Sequence, residues 1–79
     1  MHSWLSVIHA VDGSAVRLSP RQREVLAWSA EGKTTWETSI IIKCTEATVN
    51  YHLRQVIRKL EATNKTHAVS RALHLGLIS

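Results

Sequence analysis

The chain of 79 residues has one cysteine, one proline, three glycines and no phenylalanine. The single cysteine, Cys44, excludes an intrachain disulfide, and a reducing cytoplasm is the expected setting. With so little proline and glycine and hardly any alternation of β-branched and polar residues, the composition favours an all-α fold. No run approaches the roughly 20 apolar residues of a membrane span, so no membrane association is expected.

The sequence also lacks the usual signs of an enzyme or a metal protein. A chain of this length buries only roughly 60–65% of its unfolded surface, which leaves little room for a deep cleft. It has no nucleophile-elbow motif and no glycine-rich phosphate loop. Its five histidines are scattered without ligand spacing. We therefore expect no catalysis, no metal and no cofactor.

Positive charge is concentrated in the second half of the chain. Residues 1–42 hold four basic and four acidic side chains, whereas residues 43–79 hold six basic and two acidic ones. The whole net charge of +4 thus belongs to the second half. Such asymmetry is typical of a protein that binds a polyanion.

Capping signals predict four helices in residues 18–79, preceded by a linker or N-terminal extension over residues 1–17. The caps are Ser19, Thr34, Thr45 and Asn64. The helices are predicted to end near Gly32, Ile42, Leu60 and Leu75, the last closed by Gly76. In the first helix, Val25, Leu26, Ala30 and one side of Trp28 are expected in the core. In the second, Trp36 or Ile40 is expected to be buried together with Ile41.

The third predicted helix has two chemically different faces. At about 100° per residue, one stripe is apolar and points to the core, namely Val49, Leu53, Val56, Ile57 and Leu60. The opposite face carries Tyr51, Arg54, Gln55 and Arg58. A helix with such a face is suited to a DNA major groove.

Three segments together resemble the LuxR-type helix-turn-helix domain of bacterial transcription regulators. They read LSPRQREVLAWSAEGKTTWE, TEATVNYHLRQVIRKLEA and NKTHAVSRALHLGLI, in the order and spacing of that family. The segments GKTTWE and TVNYH are most similar to those of the quorum-sensing branch. Members of that branch join this module to a domain that binds acyl-homoserine lactones. Only about 17 residues precede the module, so signal binding is not carried over. Either an excised output domain or a small stand-alone regulator is expected.

The resemblance implies roles for individual residues. Asn50, Tyr51 and Arg54 match positions that read bases, and the helical wheel independently places Tyr51 and Arg54 outward. Phosphate contacts are expected from seven side chains at helix starts and on the basic face, namely Lys33, Thr34, Thr35, Thr45, Thr48, Arg58 and Lys59. Each threonine could equally be a plain helix cap, and each of the other site residues could be an ordinary solvated side chain.

The fourth helix predicts a homodimer. Its apolar residues spread over roughly 160°, which is wide for one seam of so small a domain, and Val69 and Leu73 are the expected contacts. The partners expected are double-stranded DNA, a second copy of the chain and RNA polymerase. Two alternatives stay open, the output domain of a response regulator and a helical protein-interaction module that does not bind DNA.

Two positions depart from the family pattern. Gln22 stands where the family usually has Glu, so an ion pair expected there is in doubt. Thr38 and Ser39 stand where Ile-Ala is usual, which suggests looser packing of the second helix.

Overall fold

The computed structural model describes residues 16–78, and these form four helices joined by short turns. The helices are α1 (Pro20–Ala30), α2 (Thr35–Ile41), α3 (Glu46–Lys59) and α4 (Lys65–His74). Residues 16–78 contain no strand, and the all-α prediction is confirmed. The expectation of a linker or extension falls mostly on residues 1–15, outside the described range. None of the four helices has the length and apolar composition that crossing a bilayer requires.

Each helix begins at its predicted cap. The Ser19 hydroxyl accepts the Gln22 N–H at 3.1 Å, and the Gln22 side chain accepts the Ser19 N–H at 3.0 Å. Thr34 forms the same reciprocal pair with Glu37. The remaining caps lack the return bond to the cap's own amide: Thr45 accepts from Thr48 N–H, and Asn64 accepts from His67 N–H. These bonds satisfy amide groups that have no partner inside their helix.

All four helices end in the same backbone motif. One residue past each C-cap lies in the left-handed region, with φ of 87° at Gly32, 60° at Lys43, 53° at Glu61 and 75° at Gly76. The amide of the next residue then bonds a carbonyl five residues back, as in Lys33 to Trp28 at 3.1 Å. This Schellman geometry turns the chain sharply and keeps the connections short.

The core consists of two apolar clusters that share α1 and α3. The first contains Val25, Ile42, Val49 and Leu53, and it joins α1, α2 and α3. The second joins α1, α3 and α4 through Leu18, Leu26, Val56, Leu60, Ala68 and Ala72. The two central helices contact each other and both outer ones, whereas α2 and α4 do not contact each other. The predicted apolar stripe of α3 is therefore divided between the clusters.

The burial predicted for α2 is wrong. Trp36, Ile40 and Ile41 are exposed by 59%, 56% and 39%. The inward face is instead made by Thr38 and Ser39, which are 1% and 6% exposed. Their hydroxyls donate to backbone carbonyls of their own helix, at Thr34 and Trp36, so both can be buried without an unpaired polar group.

In α1, the predicted core residues Val25 and Leu26 are fully buried. Ala30 is exposed, contrary to expectation, because it is the last residue of the helix and lies beyond the part covered by the other helices.

Replacing Glu61 by Gly should stabilise the domain. An L-residue at a positive φ is strained, and glycine removes that strain at a cost in unfolded-state entropy. We expect a net gain of about 0.5–1 kcal/mol, which raises the melting temperature by several degrees for a domain of this size. Thermal unfolding followed by circular dichroism measures it. Gly32→Ala is the matched control and should shift the melting temperature downward; a lower value for Glu61→Gly would contradict the strain at residue 61.

Candidate nucleic-acid interface

The outward face of α3 is exposed along its full length. Its stripe, spaced by three or four residues, consists of Ala47, Asn50, Tyr51, Arg54 and Arg58. Tyr51 is 54% exposed although it is aromatic. On the opposite side, Val49 and Val56 are fully buried. Packing of that side therefore fixes which way the polar stripe points.

The ring of Tyr51 is supported by its neighbour. His52 is half-buried at the edge of the apolar stripe, and the two rings meet edge to face, with centroids 5.5 Å apart. Such contacts between aromatic rings are favourable and directional. The contact restricts where Tyr51 can lie before any ligand binds.

A tight turn sets the angle between α2 and α3. Ile42 is buried, Lys43 takes the left-handed conformation and Cys44 packs against the first core cluster. At the far side of the turn, the Thr35 hydroxyl lies 2.9 Å from a carboxylate oxygen of Glu46 and donates to it. Two successive helices joined in this way form a helix-turn-helix unit, with α3 as the second helix.

The predicted phosphate-binding threonines have partners within the domain. Thr34 and Thr45 cap α2 and α3 with their hydroxyl oxygens. The Thr45 and Thr48 hydroxyls share a hydrogen bond of 2.9 Å. The Thr35 hydroxyl proton is engaged by Glu46, so Thr35 is not available to a phosphate in this arrangement.

The basic side chains of α3 have few acidic neighbours. In the described part of the chain, the one side-chain ion pair joins Arg21 to Glu24 at 2.8 Å on α1. Arg54 and Arg58 are exposed and have no carboxylate within salt-bridge distance there. Their charge is therefore available to an anionic ligand. No three His, Cys, Asp or Glu side chains in residues 16–78 are grouped as metal ligands would be.

Lys59 lies in a different environment from the one expected of a phosphate ligand. Its ammonium donates to the Gln22 side-chain oxygen and to the Arg17 carbonyl, both at 2.8 Å. Two of its three protons are thus used inside the domain. The doubt about an ion pair at position 22 is resolved as well, since a neutral amide accepts from Lys59 in this chain.

The structure adds two residues to the candidate interface that were not predicted from the sequence. Ala47 belongs to the outward stripe, four residues before Tyr51, and the helical spacing could have identified it. The Lys65 ammonium lies 3.3 Å from the Lys33 carbonyl, which brings two lysines together beside the start of α2. They are 32 residues apart in sequence, so only the tertiary fold reveals this pair.

The two predicted dimer residues differ in exposure. Leu73 is 49% exposed and lies on the outer side of α4. Val69 is half-buried and packs against the second cluster, which contains Ala68 and Ala72.

Residues 16–72 match the family model described as bacterial regulatory proteins of the luxR family. The chain belongs to this family. RpaR of Rhodopseudomonas palustris, a quorum sensing-dependent transcriptional regulator, is 56% identical over 62 residues, which is 78% of this chain and 26% of RpaR. SolR of Ralstonia nicotianae, a transcriptional activator protein, is 48% identical over 68 residues, 86% of this chain and 29% of SolR.

The fold comparison agrees with the family. The solved structure of the transcription factor GerE aligns with a TM-score of 0.75 and 32% identity, covering 78% of this chain and 92% of GerE. The four-helix LuxR-type fold is therefore confirmed. This LuxR-family chain spans about a quarter of the length of the curated relatives it matches. These relatives are named as transcriptional regulators, in agreement with the expectation that the chain is not an enzyme.

Acid should weaken the start of α2 through Glu37. The hydrogen bond from Thr34 N–H lowers the pKa of the Glu37 carboxyl below its ordinary value of 4.5. The stabilisation is complete above the unfolded pKa and is lost as the pH falls through the lower folded pKa. Urea unfolding between pH 7 and pH 3 measures this effect. The free energy of unfolding should fall less steeply with pH for Glu37→Gln than for the wild type, since the amide keeps the capping bond.

Glu31→Gln is the control for this experiment, because Glu31 is an exposed carboxylate outside any capping box. If Glu31→Gln reduced the pH dependence of the free energy of unfolding as much as Glu37→Gln, the cap of α2 would not be the cause of that dependence.

Proposed function

We propose that this LuxR-family chain binds a specific sequence of double-stranded DNA by placing α3 in the major groove. The observation that carries the proposal is the exposed stripe of α3, whose polar side chains have no carboxylate partner in the described residues. The groove of B-DNA admits a helix of this width and presents distinct donors and acceptors for each base pair. The net positive charge of the second half of the chain supports the same ligand.

Three side chains are assigned to base reading. Arg54 can donate two hydrogen bonds to guanine O6 and N7, and Asn50 can pair with adenine N6 and N7. The ring of Tyr51, which contacts the His52 ring edge to face, can contact a thymine methyl group. Ala47, at the start of the same stripe, leaves room for close approach of the helix to the bases.

Phosphate contacts are assigned to two basic side chains and to hydroxyls at helix starts, where one of the two protons of the Thr45 and Thr48 hydroxyls is used between them. Lys33 and Arg58 supply charge, while Thr34, Thr45 and Thr48 supply hydroxyls at the starts of α2 and α3. Such contacts fix the register on the duplex without reading sequence. We leave Thr35 and Lys59 out of the set, because their donors are engaged by Glu46, Gln22 and Arg17.

The names of two relatives support a biological role for the domain. RpaR is named as quorum sensing-dependent and SolR as a transcriptional activator. We propose that this domain is the DNA-binding output of a regulator in the quorum-sensing branch, working in the cytoplasm. Selection of bound sequences from a random duplex pool tests this: a defined consensus supports it, and no retained DNA at low salt favours the protein-interaction module.

We extend the proposal to a homodimer on DNA, supported by the exposed Leu73 on α4, with the half-buried Val69 at the edge of the same surface. A two-fold dimer of such domains reads half-sites about one helical turn, roughly 34 Å, apart.

RNA polymerase is the further protein partner proposed. The exposed side chains of Trp36, Ile40 and Ile41 on α2 support contact with a protein, because three large apolar residues at one site seldom remain solvated without a function.

Arg54→Ala should reduce binding to the selected sequence by about 1–3 kcal/mol and relax the preference for one base pair. Arg58→Ala should weaken all duplexes alike and reduce the slope of log K against log salt by about 0.9, as expected for one lost phosphate contact. Fluorescence anisotropy titrations over a salt series measure both. Arg21→Ala is the matched control, because that arginine is already paired with Glu24 on α1. Equal losses of Arg54→Ala on selected and random DNA would refute base reading by Arg54.

Leu73→Glu should abolish dimerisation on palindromic DNA while leaving the domain folded, since the new carboxylate replaces an exposed side chain. Sedimentation velocity on a palindromic duplex should then show one bound copy where the wild type shows two. His74→Glu, about 100° further round α4, is the control and should keep two copies. Two copies of Leu73→Glu on the duplex would remove Leu73 from the interface.

A further inference from the structure

The last turn of α3 is bonded to the first turn of α1 through Lys59. The two acceptors of its ammonium, Gln22 Oε1 and the Arg17 carbonyl, lie 37 and 42 residues away in sequence. Gln22 is only 8% exposed, and the same Oε1 atom accepts the Ser19 N–H at 3.0 Å. One buried amide oxygen therefore completes the cap of α1 and binds the end of α3.

The bond from Lys59 to Gln22 is partly buried, whereas the bond to the Arg17 carbonyl is exposed. Hydrogen bonds from an ammonium group are stronger than bonds between neutral groups. An acceptor that is nearly buried, such as Gln22 Oε1, loses more free energy when its partner is removed. Lys59 is itself exposed, as is Arg17, but its ammonium is bonded to one nearly buried acceptor, Gln22 Oε1.

The location of this contact bears on base reading. α3 has 14 residues and is about 21 Å long. The turn after α2 holds its first end, and Lys59 holds its last residue. Arg54 precedes Lys59 by five residues, about 7.5 Å along the axis. A change in the tilt or roll of α3 at Lys59 would move the guanidinium of Arg54, whose paired bonds to a base require accurate geometry.

We propose that Lys59 is a positioning residue for DNA reading, which acts through Gln22 and the Arg17 carbonyl and does not bind phosphate. This inference rests on the proposed function of α3. It assigns Gln22 a share in the same task, since its side chain supplies the buried acceptor.

The test compares Lys59→Met with Arg58→Met on the selected duplex and on random duplex across a salt series. Methionine keeps an apolar stem and removes the charge. A positioning role predicts that Lys59→Met loses roughly five- to tenfold in affinity for the selected duplex, with less than about twofold change on random duplex and an unchanged salt slope. The adjacent Arg58→Met should instead weaken both duplexes and lower the slope by about 0.9.

Gln22 provides a second and independent pair of variants. Gln22→Glu retains the acceptor and neutralises the Lys59 charge, so a positioning role predicts the wild-type ratio of affinities for selected and random duplex. A phosphate contact by Lys59 predicts a lower salt slope for Gln22→Glu. Gln22→Met removes the acceptor and should reproduce the loss of discrimination seen in Lys59→Met.

Circular dichroism melts identify the variants that are folded at the assay temperature. If Lys59→Met is unfolded there, the comparison of Gln22→Glu with wild type decides between the two roles. Equal losses of Lys59→Met on both duplexes with a lower slope, or an unchanged affinity ratio in the folded variant, would overturn the inference. Wild-type protein that prefers no duplex would instead refute the proposed function itself.

Discussion

The burial of one side of α3 is the constraint on which the rest of this domain depends. Val49 and Leu53 pack with α1 and α2, while Val56 and Leu60 pack with α1 and α4. Because one helix supplies both clusters, α3 cannot rotate without opening both at once. The face with Tyr51 and Arg54 is consequently presented to solvent by the hydrophobic effect acting on the other face.

Much of this arrangement could be predicted from local chemistry. Capping residues and glycines mark helix ends wherever they occur, so the starts at Ser19, Thr34, Thr45 and Asn64 and the end after Glu31 followed from the sequence. The outward position of Tyr51 and Arg54 followed from the 3.6-residue period. The segments that resemble the LuxR-type domain also indicated the four-helix fold and DNA as the ligand, which periodicity alone did not specify.

The errors fall where tertiary contacts decide. In α2, Trp36, Ile40 and Ile41 share one side of the helix, so the pattern predicts that this side is buried, whereas the structure buries the opposite side with Thr38 and Ser39. Thr38 and Ser39 could enter the core because a hydroxyl can bond the carbonyl of the preceding turn. Lys59 is a surface cation, but its bonds to Gln22 and to the Arg17 carbonyl could not be predicted because these acceptors belong to a distant segment.

The absence of contact between α2 and α4 has a consequence for communication within the domain. The helix α4, proposed to contact a second copy, and the helix α2 lie on opposite sides of the pair formed by α1 and α3. An effect of assembly at α4 on α2 would therefore travel through α1 and α3, or through the bond from Lys65 to the Lys33 carbonyl just before α2. The route through the helices would cross α3 between Leu53, which belongs to the first cluster, and Val56, which belongs to the second. A small shift of α3 at this point would affect both clusters.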